Sequence, residues 1–139
     1  MQIKPEQLAA ALHKGPAQVY LISGDEPLQL GEAADAVRKA ARNAGYGTRE
    51  ILSADTAGFT WNQLSVSADS LSIFADKKII DLRLPTGSVG ADGAKALIAY
   101  CEHLPDDTLL LITAGKLSKE ALKTRWLQAL DKCGVVVQV

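Results

Sequence analysis

The order of residues predicts a three-layer α/β domain in which a five-stranded parallel sheet is covered by helices on both faces. Three observations carry that expectation. Short apolar runs such as Val19-Tyr20-Leu21-Ile22 and Leu109-Leu110-Leu111-Ile112 alternate with amphipathic stretches almost without exception, which is the pattern of right-handed β-α-β crossovers. The strongest of these runs are apolar at every position, as strands buried on both faces must be. The chain has 139 residues, a length that one core can organise, so a single domain over residues 1–139 is the default.

Residues 5–13 read as a short helix, with Pro5 in its first turn and Gly15-Pro16 ending it. Residues 17–23 follow as a buried strand bounded by Gly24. Over residues 28–43, Leu30, Ala33, Ala34, Val37, Ala40 and Ala41 recur at helical spacing between charged positions, so a long amphipathic helix is expected there. Gly45 and Gly47 stop it, and residues 48–53 alternate enough to suggest an edge strand. Residues 60–68 read as a helix, with Thr60 and Gln63 in the places of a capping box. Residues 77–84 form the third strand, closed by Pro85 and a Thr86-Gly87-Ser88 turn. A helix over 92–104 ends before Pro105, and residues 108–113, the most apolar run, should be a central strand. Ser118 caps one last helix over 119–132, and residues 135–139 form the final strand. A chain stopping at a strand end suggests an N-terminal module cut from a longer protein, with a natural terminus as the other reading.

Composition narrows the function classes. A net charge of -1 argues against a nucleic-acid footprint over the whole surface, while leaving room for a local basic patch. No apolar run approaches the roughly 20 residues of a membrane span, and the N-terminus lacks the apolar core of a signal peptide. A cytosolic protein without a membrane partner is therefore expected. Cys101 and Cys133 are distant in sequence, with no C-x-x-C spacing and no clustered His. They read as buried or half-buried free thiols.

In such a sheet a nucleotide would sit at the first strand-to-helix turn, where backbone N–H groups and a helix N-terminus converge. A phosphate loop needs G-x-x-x-x-G-K-[ST]. The turn here is Ser23-Gly24-Asp25-Glu26-Pro27-Leu28-Gln29-Leu30-Gly31-Glu32, with no Lys and no Ser or Thr at the required places. Two carboxylates stand where phosphate oxygens would lie, and Pro27 removes an amide. Asp25 or Glu26 instead caps the long helix and complements its dipole. A Mg²⁺-binding acidic pair at a strand end, a nucleophile elbow and a metal cluster are equally missing. Asp81 stands within its strand, as a solvated or Arg-paired position. His13 and His103 fall near helix ends, where a cation suits the dipole. Neither an enzyme nor a cofactor is expected. A phosphoacceptor signalling domain is the alternative of another class. It would need an Asp ending the third strand and a Lys ending the fifth, whereas Asp81 is mid-strand and Val139 is last. A degenerate nucleotide-binding domain is a third reading.

Two stretches remain. Leu71-Ser72-Ile73-Phe74-Ala75 places large apolar side chains in a connection before Asp76-Lys77-Lys78. Such a pair is either a plug under the sheet edge or a tip inserted into a partner's pocket. The basic residues Lys116, Lys119, Lys123, Arg125 and Lys132 read as a solvated helix face, on which Lys116 and Lys119 are the candidates for touching a DNA backbone.

The sequence Tyr20-Leu21-Ile22-Ser23-Gly24-Asp25-Glu26-Pro27-Leu28, the Leu71-Ser72-Ile73-Phe74-Ala75 element before a Lys-rich strand, and Leu109-Leu110-Leu111-Ile112 followed by Gly115-Lys116-Leu117-Ser118-Lys119 together resemble the delta subunits of bacterial DNA polymerase III clamp loaders, over essentially the whole chain. The resemblance implies an AAA+-like N-terminal domain that has lost its ATP site. It implies a subunit that binds the sliding clamp and opens its ring for loading onto DNA during replication. It assigns clamp binding to Leu71, Ser72, Ile73 and Phe74, with Phe74 the anchor, which favours the partner-facing reading. The usual Gln at the start of a clamp-binding peptide is missing, and Asp69 and Ser70 stand nearby instead. Other loader subunits would be met through lid and collar domains absent from this sequence, and DNA only indirectly.

Overall fold

A computed structural model describes residues 1–69 and 77–139. In chain order the strands are β1 (Gln2–Ile3), β2 (Val19–Ser23), β3 (Tyr46–Ser53), β4 (Lys77–Leu84), β5 (Thr108–Ala114) and β6 (Val135–Gln138). The helices are α1 (Leu8–His13), α2 (Pro27–Asn43), α3 (Asn62–Asp69), α4 (Gly90–Glu102), α5 (Lys119–Leu122) and α6 (Arg125–Cys133). All strands pair in parallel, in the order β1-β6-β2-β5-β4-β3. The apolar β5 is interior and the alternating β3 is an edge, as their patterns predict.

The expected five strands become six. Gln2 lies opposite Val136 and Ile3 opposite Val137, so the chain start adds a strand beyond β6. Two residues cannot display an alternation, and no pattern could have marked them. The single helix expected over 119–132 is two. The Thr124 hydroxyl donates to the Ala121 carbonyl at 2.6 Å, occupying an acceptor that a continuous helix would give to the next turn. Thr124 takes an extended conformation as the first residue before α6, so Lys119 and Lys123 do not share a continuous helical face.

Alternation along the inner strands sorts side chains into two cores. Leu110 and Ile112 of β5 join Leu21, Ile80, Leu82 and Val136 beneath α3, α4 and α6. Leu109 and Leu111 join Tyr20, Ile22, Ile79 and Val137 beneath α1 and α2, where Ala33, Ala34, Val37 and Ala41 supply the expected apolar stripe. Among the glycines of the described helices, Gly93 is where a side chain would collide: a Cβ there would meet the Trp61 ring at 2.7 Å. The missing methyl lets Trp61 lie against α4, and Phe59 meets the same ring edge-on at 5.3 Å. These contacts fix the start of α3, and Leu64 buries its middle.

Candidate functional site

The C-terminal ends of β2, β4 and β5 form a cleft of about 480 Å³, lined by Gly24, Asp25, Pro27, Leu30, Arg83, Pro85 and Lys116 among others. The chain leaves β2 and β5 toward opposite faces of the sheet, which is the place where α/β sheets bind ligands. The groups that would serve an anion are already used. Glu26 is the N-cap of α2, and its carboxylate accepts the Leu28 N–H at 3.2 Å, so the protein's own anion sits at the helix N-terminus. Pro27 has no N–H, and the Gly24 N–H donates to the Ala114 carbonyl at 3.2 Å. A Cβ on Gly24 would collide with Val139, whose N–H donates to the Ser23 carbonyl at 2.8 Å. Of the two acids that the sequence offered as a cap, Glu26 takes the role.

Asp81, at the middle of β4, is fully buried. Its Oδ2 accepts from Arg38 Nε at 3.0 Å and from Arg49 Nη2 at 2.8 Å, and Arg83 Nε approaches Oδ1 at 3.7 Å. The arginine-paired reading holds and the solvated one does not. A carboxylate held by α2, β3 and β4 ties three elements together; it is not at a strand end, where phosphoacceptor chemistry would need it. Among the described residues no group of three or more His, Cys, Asp or Glu could hold a metal ion, and no helix is long and apolar enough to cross a membrane.

Leu71, Ser72, Ile73 and Phe74 lie outside the described residues. What is described is the frame on either side of them. The Lys78 ammonium donates to the Ser67 carbonyl in the last turn of α3, where a helix leaves acceptors without intrahelical partners. The Ser67 hydroxyl donates to Glu50 of β3, and the Lys77 ammonium sits 5.3 Å from the centre of the Tyr46 ring. The end of α3 is thereby clasped to the start of β4 at the N-terminal edge of the sheet. Sequence reasoning missed Ser67, Lys77 and Lys78. The available signal was two lysines opening an otherwise apolar strand, where a buried ammonium must find an acceptor.

Lys116 and Lys119 are both exposed, and only Lys119 belongs to a helix. Lys116 also borders a larger groove of about 780 Å³ between α4 and the 116–126 stretch, with Lys95 and Arg125 on its walls. The geometry brings Lys116, Lys95 and Arg125 around one groove and leaves Lys119 outside its lining.

These features define an AAA+-like α/β domain whose strand-end site is closed by its own cap. The clamp loader delta protein of Bacillus subtilis has the same fold, with a TM-score of 0.74 at 16% identity over 97% of this chain and 42% of its own. A DNA polymerase III gamma subunit-related protein of Thermotoga maritima matches less closely, with a TM-score of 0.59 at 16% identity over 97% of this chain and 45% of its own. The family model described as "DNA polymerase III, delta subunit" matches residues 20–139, and the chain belongs to that family of clamp-loader subunits. DNA polymerase III subunit delta of Escherichia coli K12 is 34% identical over 137 residues, covering 99% of this chain and 40% of the relative. The Haemophilus influenzae subunit is 34% identical over 131 residues, covering 94% and 38%. The chain thus spans about two-fifths of the length of these curated relatives.

Proposed function

We propose that this chain is the clamp-binding module of a cytoplasmic clamp-loader delta subunit: it engages the sliding clamp and opens the ring for loading onto DNA, without hydrolysing ATP. Residues 1–139 are read as one AAA+-like N-terminal domain, with the other loader subunits contacted through parts of the protein beyond this sequence. The observation that carries the proposal is the clasp of α3 to β4. Ser67 and Lys78, which flank in sequence the stretch containing Leu71, Ser72, Ile73 and Phe74, are joined to each other, and an apolar segment whose flanks are ordered beforehand costs less freedom on docking. Opening needs no hydrolysis here: a clamp whose bound form favours a parted interface shifts by its differential affinity for the two states. The closed strand-end site supports the inert reading. Lys116 and Lys119 are the candidates for touching a DNA backbone, and DNA is otherwise met through the assembled loader.

Binding of the chain to a sliding clamp, with and without Phe74→Ala, tests the proposal. Loss of the anchor should weaken binding by about 2 kcal/mol or more, with the melting temperature nearly unchanged. Equal affinity together with a lowered melting temperature would assign Phe74 to the core instead. Titration with ATP and Mg²⁺ should give no heat of binding.

A further inference from the structure

Cys101 and Cys133 come from different helices and are 32 positions apart in sequence, yet their Sγ atoms lie 2.9 Å apart. Both are half-buried, so a small oxidant can reach them. The helices that carry them are packed side by side through Leu97, Tyr100, Leu127 and Leu130, which holds the pair in register. Closing from 2.9 Å to the ~2.05 Å of a disulfide requires less than about 1 Å of approach. We propose that Cys101 and Cys133 form a reversible dithiol site that peroxide converts into an intramolecular disulfide joining α4 to α6.

The thiolate of one cysteine attacks one oxygen of hydrogen peroxide, the O–O bond breaks, and the departing hydroxide takes a proton to become water. The sulfur of the other cysteine then attacks the sulfenic sulfur, the S–O bond breaks, and the hydroxide leaves with the proton that the second thiol releases. Two thiols lose two electrons and two protons, and the peroxide is reduced to two waters. Both cysteines stand at the C-terminal ends of their helices, while the groove of about 780 Å³ is lined by α4 as far as Ile98 and by the start of α6. The staple therefore lies about one helical turn beyond the groove.

Intact mass and non-reducing peptide mapping after exposure to hydrogen peroxide test the site. The expected product is a monomer lighter by two hydrogens, with the Cys101 and Cys133 peptides linked, a melting temperature higher by roughly 5 °C or more, and full reversal by a dithiol reductant. In Cys101→Ser and in Cys133→Ser, dimedone should trap a sulfenic acid at the cysteine that remains. Oxygen addition at both sulfurs without a cross-link, cross-links only between molecules, or two thiols unchanged by peroxide would each overturn the proposal.

Discussion

At the C-terminal end of β4, Arg83 and Pro85 line a cleft whose helix N-terminus already carries the Glu26 carboxylate, whereas at its N-terminal end Lys77 and Lys78 bind the ring of Tyr46 and the last turn of α3. Sheets of this class usually work at the first of these edges, because helix N-termini and free amides gather there. Here that edge is occupied by the chain's own groups, and the residues proposed to act on a partner sit in a connection that starts and ends at the other edge. An edge that builds no ligand site is free to anchor an apolar segment. The difference teaches that a sheet of this architecture can keep its strand order and its helix-capping chemistry while the helix N-terminus after β2 is taken by the chain's own carboxylate.

Asp81 stands between the two ends and supports both, so its removal is the largest expected effect. Asp81→Ala leaves the nearly buried Arg38 with the exposed Asp35 carboxylate as its remaining acid, while Arg49 and Arg83 retain water at 39% and 44% side-chain exposure. A loss of about 2–3 kcal/mol follows, below the upper range for broken buried pairs because of that exposure. Urea unfolding measures it, and a change under about 0.5 kcal/mol would show that the cluster does not couple the two ends. Lys78→Met tests the N-terminal end alone. It withdraws a donor from the Ser67 carbonyl at a cost of about 1–2 kcal/mol, and clamp affinity should fall several-fold at temperatures where the chain remains folded. Unchanged affinity would mean that the clasp plays no part in positioning Leu71, Ser72, Ile73 and Phe74. Gly93→Ala perturbs the opposite end of α3, since its methyl would meet the Trp61 ring at 2.7 Å. Overpacking outweighs the gain in helix propensity, leaving a net destabilisation on the order of 1 kcal/mol, visible in the urea midpoint.

Much of this arrangement was legible before any coordinates. The fully apolar β5 and the alternating β3 announced an inner strand and an edge, and the acids before Pro27 announced a capped helix instead of a phosphate cradle. What escaped was set by contacts between residues distant in sequence. Gln2–Ile3 becomes a strand only because β6 lies beside it. Thr124 breaks a helix through a hydroxyl that periodicity does not record. Lys78 looks solvated in sequence and proves buried against α3. Cys101 and Cys133 meet only because α4 and α6 pack side by side.

Glu26→Ala gives the smallest effect and the sharpest test of the C-terminal end. Losing the N-cap acceptor should cost about 0.5–1 kcal/mol, read as a lower urea midpoint. If the carboxylate alone kept phosphate away, the variant should acquire measurable affinity for ATP or inorganic phosphate. We expect none: Pro27 still lacks an N–H, the Gly24 N–H remains committed to the Ala114 carbonyl, and Val139 still covers Gly24. With the repelling charge gone, the Leu28 N–H released and the Gly24 N–H still engaged, calorimetry on this variant separates repulsion from occupancy. Heat on adding phosphate would place the cause in the carboxylate; silence would place it in the backbone, where a single substitution cannot restore a cradle.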